Sequence, residues 1–225
     1  MFITLPGGPT LRPAKLLCVG RNYAAHVREM GDVSVLPTEP VVFLKPNTAL
    51  VASGEAVVIP EMSEDVHHEV ELVVVIGRPG RHISEEDAME HVAGYALGLD
   101  MTARDIQARA KEQRAAWSIA KGFDTFAPLG PLVPIEDVSD PHDLEVVLTV
   151  NGEVRQRGFT RDFIFRIPFL ISYLSRVFTL EPGDLIFTGT PEGVGRVEPG
   201  DVLEASASGA GGTIEPLRVT VEAES

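Results

Sequence analysis

The sequence contains a single cysteine, Cys18, among its 225 residues. One cysteine excludes an internal disulfide and any zinc site built from several thiolates. Because Cys18 lies in the apolar run Leu16-Leu17-Cys18-Val19, we expect a small core residue rather than a reactive thiol. The fold must therefore be held together mainly by the burial of hydrophobic residues, which make up 44% of the sequence.

Basic residues and long apolar runs are also scarce. The chain has 19 Lys and Arg against 33 Asp and Glu, a formal net charge of -14. No basic cluster could follow a phosphate backbone, so we expect no nucleic-acid partner. No apolar run approaches the roughly 20 residues that span a bilayer, and the N-terminal segment lacks the pattern of a signal peptide. The composition predicts a cytoplasmic protein with no membrane partner.

Short apolar runs recur to the end of the chain and predict a sheet-rich protein. The predicted strands cover residues 15–19, 41–45, 56–59, 69–76, 94–99, 144–150, 185–188, 202–205 and 217–221. Helices are predicted over 24–29, 84–91, 102–114 and 162–177, the last interrupted by Pro168. Asn151-Gly152 predicts a hairpin turn and hence antiparallel pairing. Strands and helices do not alternate regularly, which favours an α+β fold over a doubly wound sheet. We predict a single domain over residues 1–225, because no linker or repeat divides the chain.

Two glutamates stand at the start of the apolar run 69–76. A strand period of two puts Glu69 and Glu71 on one face, in line with Val73 and Val75. Two solvated glutamates on an exposed strand would be the ordinary interpretation. The apolar residues that follow on both faces favour a bound cation instead, because like charges at a buried edge repel each other and lose hydration.

Asp100 ends the apolar run 95–99, where the chain leaves the core, and we predict it as a third oxygen ligand. Its alternative role is to cap the helix expected near Thr102. Three carboxylates without cysteine suit a hard cation such as Mg²⁺, with Mn²⁺ as the alternative. Such an ion keeps coordination sites for substrate oxygens, so the pattern indicates chelation of an α-keto acid.

His26 and Glu29 are three residues apart on a predicted helix, so the carboxylate can orient the imidazole as a general base. A pair on an exposed helix surface is the alternative. Gly20-Arg21-Asn22-Tyr23 before them and the polar segment from Gly31 to Thr38 after them predict a mobile lid over an active site.

Other candidates lie later in the chain. Arg104 and Gln107 can share a helix face after Asp100. Lys121 is followed by Gly122, which allows close approach of a ligand, although an exposed loop lysine is the alternative. The glycine-rich run 188–195 lacks the Gly-Lys-Ser/Thr ending of a phosphate loop, so nucleotide binding is disfavoured. Thr190 and nearby backbone N–H groups could bind a carboxylate.

Six motifs in this order resemble the fumarylacetoacetate hydrolase family, in particular its short acylpyruvate hydrolase and oxaloacetate decarboxylase-like members. The resemblance runs from about residue 15 to residue 204. The motifs are Gly20-Arg21-Asn22-Tyr23 with His26 and Glu29, Phe43-Leu44-Lys45-Pro46, His68-Glu69-Val70-Glu71-Leu72, Asp100-Met101-Thr102-Ala103-Arg104-Asp105, Lys121-Gly122-Phe123-Asp124 and Thr188-Gly189-Thr190-Pro191-Glu192-Gly193-Val194-Gly195.

The resemblance implies a mixed β-roll, usually found as a homodimer. It implies that the Mg²⁺ or Mn²⁺ ligands are Glu69, Glu71 and Asp100. It implies a water-activating pair, His26 with Glu29, and substrate contacts from Lys121, Gln107, Arg21 and Thr190. The chain has no room for the separate N-terminal domain of the longer members, which argues against fumarylacetoacetate as the substrate.

The expected reaction is hydrolysis of a C–C bond in a 3-acylpyruvate, giving a carboxylate and pyruvate. His26 would deprotonate the attacking water, and Lys121 would stabilise the developing negative charge. Decarboxylation of oxaloacetate and isomerisation of a 2-hydroxymuconate-type diacid at the same site are alternatives. A non-catalytic module that binds a metal and a keto acid is an alternative of another class.

Overall fold

The computed structural model describes residues 1–31 and 36–224. Its strands are β1 Ile3–Thr4, β2 Thr10–Leu11, β3 Leu16–Gly20, β4 Val41–Lys45, β5 Leu50–Ala52, β6 Ala56–Ile59, β7 Val66–His68, β8 Val70–Ile76, β9 Val92–Leu99, β10 Thr102–Ala103, β11 Ala127–Leu129, β12 Val133–Pro134, β13 Glu145–Val150, β14 Glu153–Phe159, β15 Leu185–Phe187, β16 Gly195–Arg196, β17 Val202–Gly209 and β18 Gly212–Ala223. The α-helices are α1 Ala24–Glu29, α2 Arg104–Glu112, α3 Ser118–Lys121 and α4 Ile167–Val177. Short 3₁₀ helices cover Asn47–Ala49, Ala88–His91, Ile135–Asp137 and Thr160–Asp162.

Two large sheets form the body of the protein. Eight strands make the first, in the order β4-β3-β15-β8-β9-β11-β5 with β12 also paired to β9, and five make the second, in the order β14-β13-β17-β18-β6. A three-stranded sheet, β10-β7-β16, and the pair β1-β2 complete the set. Most pairs are antiparallel, whereas β3 with β15, β5 with β11 and β6 with β18 are parallel. The predicted sheet-rich α+β class is confirmed.

The eight-stranded sheet is covered on both faces. One apolar cluster joins residues of β8 and β9 to residues of β13, β17 and β18 in the five-stranded sheet. A second cluster lies on the opposite face and includes Leu16, Cys18, Val73 and Phe187. Burial on both faces explains why β8 reads as a continuous apolar run. Cys18 is a fully buried core residue, as expected.

The predicted hairpin is present between β13 and β14. Asn151 and Gly152 have φ values of 53° and 81°, the left-handed conformation that a two-residue turn between twisted strands requires. No helix in the described part of the chain is long and apolar enough to cross a membrane.

Two predicted helices begin later than expected. Residues 84–87 form a turn in which the Ser84 hydroxyl accepts the N–H of Asp87, and a 3₁₀ helix follows at Ala88–His91. The helix predicted from Thr102 begins at Arg104, because residues 102–103 pair with β7 as β10. The residue at the N-cap position is Ala103, without a side-chain cap, so the alternative role of Asp100 as a helix cap is wrong.

The predicted helix over residues 162–177 is shorter and uninterrupted. Pro168 lies in the first turn of α4, where a missing backbone N–H breaks no helical hydrogen bond. The proline therefore helps to begin the helix at Ile167 instead of interrupting it.

Candidate metal and substrate site

Antiparallel pairing of β8 with β9 brings three carboxylates to one end of the eight-stranded sheet. Val70 pairs with Leu99. One residue further out, the N–H of Asp100 donates to the carbonyl of Glu69 at 2.8 Å. Opposed residues share a sheet face, as do residues two apart. The carboxylate oxygens of Glu69, Glu71 and Asp100 consequently lie within 4.8 Å of one another.

Lys121 and Arg104 contact this carboxylate group directly. Lys121 Nζ lies 2.8 Å from Glu69 Oε2 and 2.6 Å from Asp100 Oδ2. Arg104 Nη2 lies 2.6 Å from Glu69 Oε1. Burial alone would raise the pKa of Glu69, but Lys121 and Arg104 outweigh it and hold that pKa below the usual value. Glu69 is therefore ionised at neutral pH.

Glu71 has a different environment. Its Oε2 accepts the N–H of Gly189 at 2.7 Å. Burial, followed by the negative charges of Asp100 and Glu69, raises the pKa of Glu71 well above its usual value. A divalent cation between the three carboxylates would offset both the burial and the repulsion.

Lys45 is a member of the site that the sequence analysis did not assign. Its Nζ lies 2.7 Å from Asp100 Oδ1, with both side chains buried. The ammonium donates to the backbone carbonyls of Met101, Lys121 and Phe126, which uses its three protons. Asp100 Oδ1 consequently accepts no hydrogen bond from the described residues. An oxygen with open lone pairs among buried carboxylates fits a hard divalent ion.

The His26 and Glu29 pair forms as predicted on α1. His26 Nδ1 lies 3.1 Å from Glu29 Oε2, and Glu29 Oε1 accepts the N–H of Gly193 at 2.9 Å. His26 is 6% exposed, which does not match an ordinary surface pair. His26 is also among the groups whose electrostatic interaction lowers the pKa of Glu69. Residues 32–35 of the predicted lid lie outside the described residues.

The other predicted residues differ in burial and in their contacts. Lys121 is buried at the end of α3 and not in an exposed loop. Gln107 is buried on α2, where its Oε1 accepts a hydrogen bond from Arg104 Nη1 at 2.8 Å. Arg21 is half-buried between β3 and α1, in a left-handed conformation with φ of 62°.

Thr190 is buried in the loop that follows β15. Its Oγ1 accepts a hydrogen bond from Gln156 Nε2 at 2.8 Å. Gln156 is a buried residue in strand β14, most of whose residues are exposed, and the sequence did not assign it to the site. No motif in the sequence marks it, because its partners lie far away along the chain.

Comparison with known proteins gives consistent results. Residues 15–221 match the fumarylacetoacetate (FAA) hydrolase C-terminal family. A Bos taurus protein named oxaloacetate tautomerase FAHD1, mitochondrial, is 52% identical over 194 residues, which cover 86% of this chain and 87% of that protein. The crystal structure of fumarylpyruvate hydrolase from Pseudomonas aeruginosa in complex with Mn²⁺ and pyruvate has a TM-score of 0.88 and 43% identity, covering 100% of this chain and 96% of that one. The structure of 5-carboxymethyl-2-hydroxymuconate delta-isomerase from Mycobacterium smegmatis has a TM-score of 0.83 and 42% identity, covering 99% of this chain and 83% of that one.

Proposed function

The chain belongs to the fumarylacetoacetate hydrolase family, and on that premise we propose that it is a metal-dependent enzyme that interconverts the enol and keto forms of oxaloacetate. The observation that carries the proposal is the group of three buried carboxylates, with one oxygen of each lying within 4.8 Å of the others, and an Asp100 Oδ1 that accepts no hydrogen bond from the described residues. We propose Mg²⁺ as the ion, with Mn²⁺ as the alternative. The name of the Bos taurus relative supports this choice of reaction.

The charges of the site support a substrate with two negative charges. Three carboxylates contact or adjoin three cations, Lys45, Lys121 and Arg104, so their formal charges balance. A divalent ion then adds two positive charges. An α-keto dicarboxylate such as oxaloacetate brings two negative charges, which restores the balance in a site where unpaired charge is costly.

Each residue of the site has a distinct role in the proposal. A divalent ion held by Glu69, Glu71 and Asp100 would act as a Lewis acid towards a chelated keto group, which makes the neighbouring C–H proton easier to remove. Glu29 accepts the hydrogen bond of His26 Nδ1, which leaves Nε2 as the nitrogen that takes and returns this proton.

Negative charge that develops on the substrate oxygen would be stabilised by Lys121, whose burial strengthens the electrostatic interaction. Arg21, Gln107 and Thr190 would hold the substrate carboxylates. Burial of His26 and of the carboxylates keeps this chemistry away from bulk water.

Hydrolytic C–C cleavage of a 3-acylpyruvate is the second candidate, supported by the similar fumarylpyruvate hydrolase from Pseudomonas aeruginosa, whose crystal structure is a complex with Mn²⁺ and pyruvate. His26 would then activate a water that attacks the distal carbonyl, and pyruvate would leave. Decarboxylation of oxaloacetate and isomerisation of a 2-hydroxymuconate-type diacid would use the same groups. For the assembly and its location, we propose a homodimer in the cytoplasm.

A substrate panel ranks these reactions. Purified protein with Mg²⁺ is assayed for oxaloacetate enol loss, oxaloacetate decarboxylation, acetylpyruvate hydrolysis and isomerisation of an unsaturated 2-hydroxy diacid. We expect the largest kcat/KM for enol loss. A larger value for acetylpyruvate would make hydrolysis the principal reaction, and binding of oxalate with no turnover of any substrate would indicate a non-catalytic module.

A further inference from the structure

Gln156 joins the metal-ligand strand to the loop that carries Thr190. Its side chain is buried, with 1% of the residue exposed. Its Oε1 accepts the N–H of Val70 at 3.0 Å and lies 2.9 Å from His68 Nδ1. Its Nε2 donates to the carbonyl of Pro191 at 3.0 Å and to Thr190 Oγ1 at 2.8 Å. Both the oxygen and the nitrogen of the Gln156 amide are therefore hydrogen-bonded to other groups of the protein.

The orientation of this amide is fixed by two backbone groups. The N–H of Val70 can only donate, and the carbonyl of Pro191 can only accept. A flipped Gln156 amide would therefore place its NH₂ group against the N–H of Val70 and its oxygen against the carbonyl of Pro191, and neither pair can form a hydrogen bond. It follows that Nε2 is the group facing Thr190, and that the Thr190 oxygen accepts this hydrogen bond.

An oxygen that accepts from Gln156 still has its own proton to donate. Across residues 1–31 and 36–224, the structure gives the Thr190 hydroxyl no hydrogen-bond partner other than Gln156. The preceding residue, Gly189, donates its N–H to Glu71, so Thr190 lies beside the candidate metal ligands. The hydroxyl proton is available to an anion bound there.

We propose that Gln156 is a positioning residue that makes the Thr190 hydroxyl a hydrogen-bond donor to a substrate carboxylate. The inference rests on the proposed function, because it requires a carboxylate ligand beside the metal. Gln156 does not touch that ligand. It acts by donating to the Thr190 oxygen, which orients the hydroxyl so that its own proton is directed at the ligand.

A double-mutant cycle tests this coupling. In Gln156→Glu the carboxylate can still accept hydrogen bonds from Val70 and His68, but it cannot donate to Thr190. It would instead accept a hydrogen bond from the Thr190 hydroxyl. Isothermal titration measures oxalate binding to Mn²⁺-saturated wild type, Gln156→Glu, Thr190→Val and the double variant. We expect Gln156→Glu to weaken oxalate binding about tenfold more in the wild-type background than in Thr190→Val, the size of one hydrogen bond to a charged group.

The comparison of backgrounds cancels the effect of the added charge, which is present in both. Equal losses of oxalate affinity in the two backgrounds would overturn the inference. Thr190→Ser keeps the hydroxyl and should stay within a few-fold of wild type. The Mn²⁺ affinity of each variant is measured first, so that every oxalate titration is done at saturating Mn²⁺. If Gln156→Glu does not fold, the neutral Gln156→Met carries the same cycle.

Failure of the proposed function gives a different result. If the wild-type protein with Mn²⁺ binds no oxalate, the proposed function and this inference fall together. If the wild type binds oxalate but the losses are equal in the two backgrounds, the inference alone falls.

Discussion

The ammonium of Lys45 lies 2.7 Å from Asp100 Oδ1 without contact with solvent, while its protons go to three backbone carbonyls. Lys45 thus supplies positive charge to Asp100 without donating a hydrogen bond to Asp100 Oδ1, so this oxygen keeps its lone pairs for a metal ion. This arrangement stabilises a buried carboxylate and keeps it available to a cation.

Lys45→Met tests how much the fold depends on this contact. The substitution leaves Asp100 with less compensating charge and removes one hydrogen-bond donor from each of three backbone carbonyls. We expect the free energy of unfolding, measured by urea denaturation, to fall by about 3 kcal/mol or more. Arg78→Met, which breaks an exposed ion pair with Glu90, is the control and should change it little. Equal stability of Lys45→Met and wild type would refute this role.

Glu71→Gln tests the metal site. The amide is close in shape to the carboxylate but carries no charge, so we expect Mn²⁺ affinity to fall by at least about 100-fold, beyond the usual cost of losing an outer-shell partner. Glu153→Gln, at a glutamate whose side chain is 73% exposed, should bind Mn²⁺ as wild type does. Calorimetric titration measures both. Unchanged affinity in Glu71→Gln would remove Glu71 from the ligand set.

His26→Ala tests the general base. Loss of the base should lower the rate of oxaloacetate enol loss and of acetylpyruvate hydrolysis by about 10²–10⁴-fold. Metal-promoted decarboxylation of oxaloacetate needs no water attack and should fall less. Glu29→Gln only weakens the orientation of the imidazole, so its rates should fall less than those of His26→Ala in all assays. If hydrolysis and enol loss survive within a few-fold while Mn²⁺ affinity is intact, another group is the base.

His142 gives a prediction about pH. Its Nε2 accepts the N–H of Ile167 at 3.1 Å at the start of α4, so the ring is neutral there. Burial, then the positive charge of Arg166, lowers the pKa of His142 despite the nearby Asp140. Its contribution to stability is complete above the unfolded-state pKa of about 6.5 and is lost as pH falls below it, because the unfolded chain then binds a proton that the folded protein does not.

The variant His142→Gln keeps an acceptor for Ile167 but cannot titrate. Between about pH 7 and 5, its free energy of unfolding should fall less steeply than that of wild type, as measured by urea denaturation at each pH. Parallel curves for the two proteins would show that His142 has no part in the pH dependence.

The sequence was sufficient for the features that depend on local pattern. Short apolar runs predicted the main strands, and Asn151-Gly152 predicted the hairpin. The convergence of the three carboxylates needed more than spacing, because it depends on the register that sets Glu69 opposite Asp100. The residue pattern predicted that set, the family resemblance implied the same three residues, and the geometry agrees with them.

The sequence did not predict the features that depend on contacts between residues distant along the chain. Lys45 lies in one of the six motifs, but its contacts are carbonyls 56 to 81 residues away, so its role could not be assigned. Gln156 contacts Thr190 34 residues away, and no local pattern marks it. Helical propensity after Thr102 was overridden by pairing with β7. At Ser84, a local side-chain hydrogen bond stabilised a turn before the 3₁₀ helix.

The most direct test of the central claim is the decay of the ultraviolet absorbance of enol-oxaloacetate, followed with the wild-type protein and Mg²⁺, with excess EDTA, and with Glu71→Gln. Each rate is corrected for the rate without protein under the same conditions. We predict protein-dependent acceleration with Mg²⁺ and its loss both with EDTA and in Glu71→Gln. Full acceleration in excess EDTA, or none with Mg²⁺, would contradict a metal-dependent tautomerase at Glu69, Glu71 and Asp100.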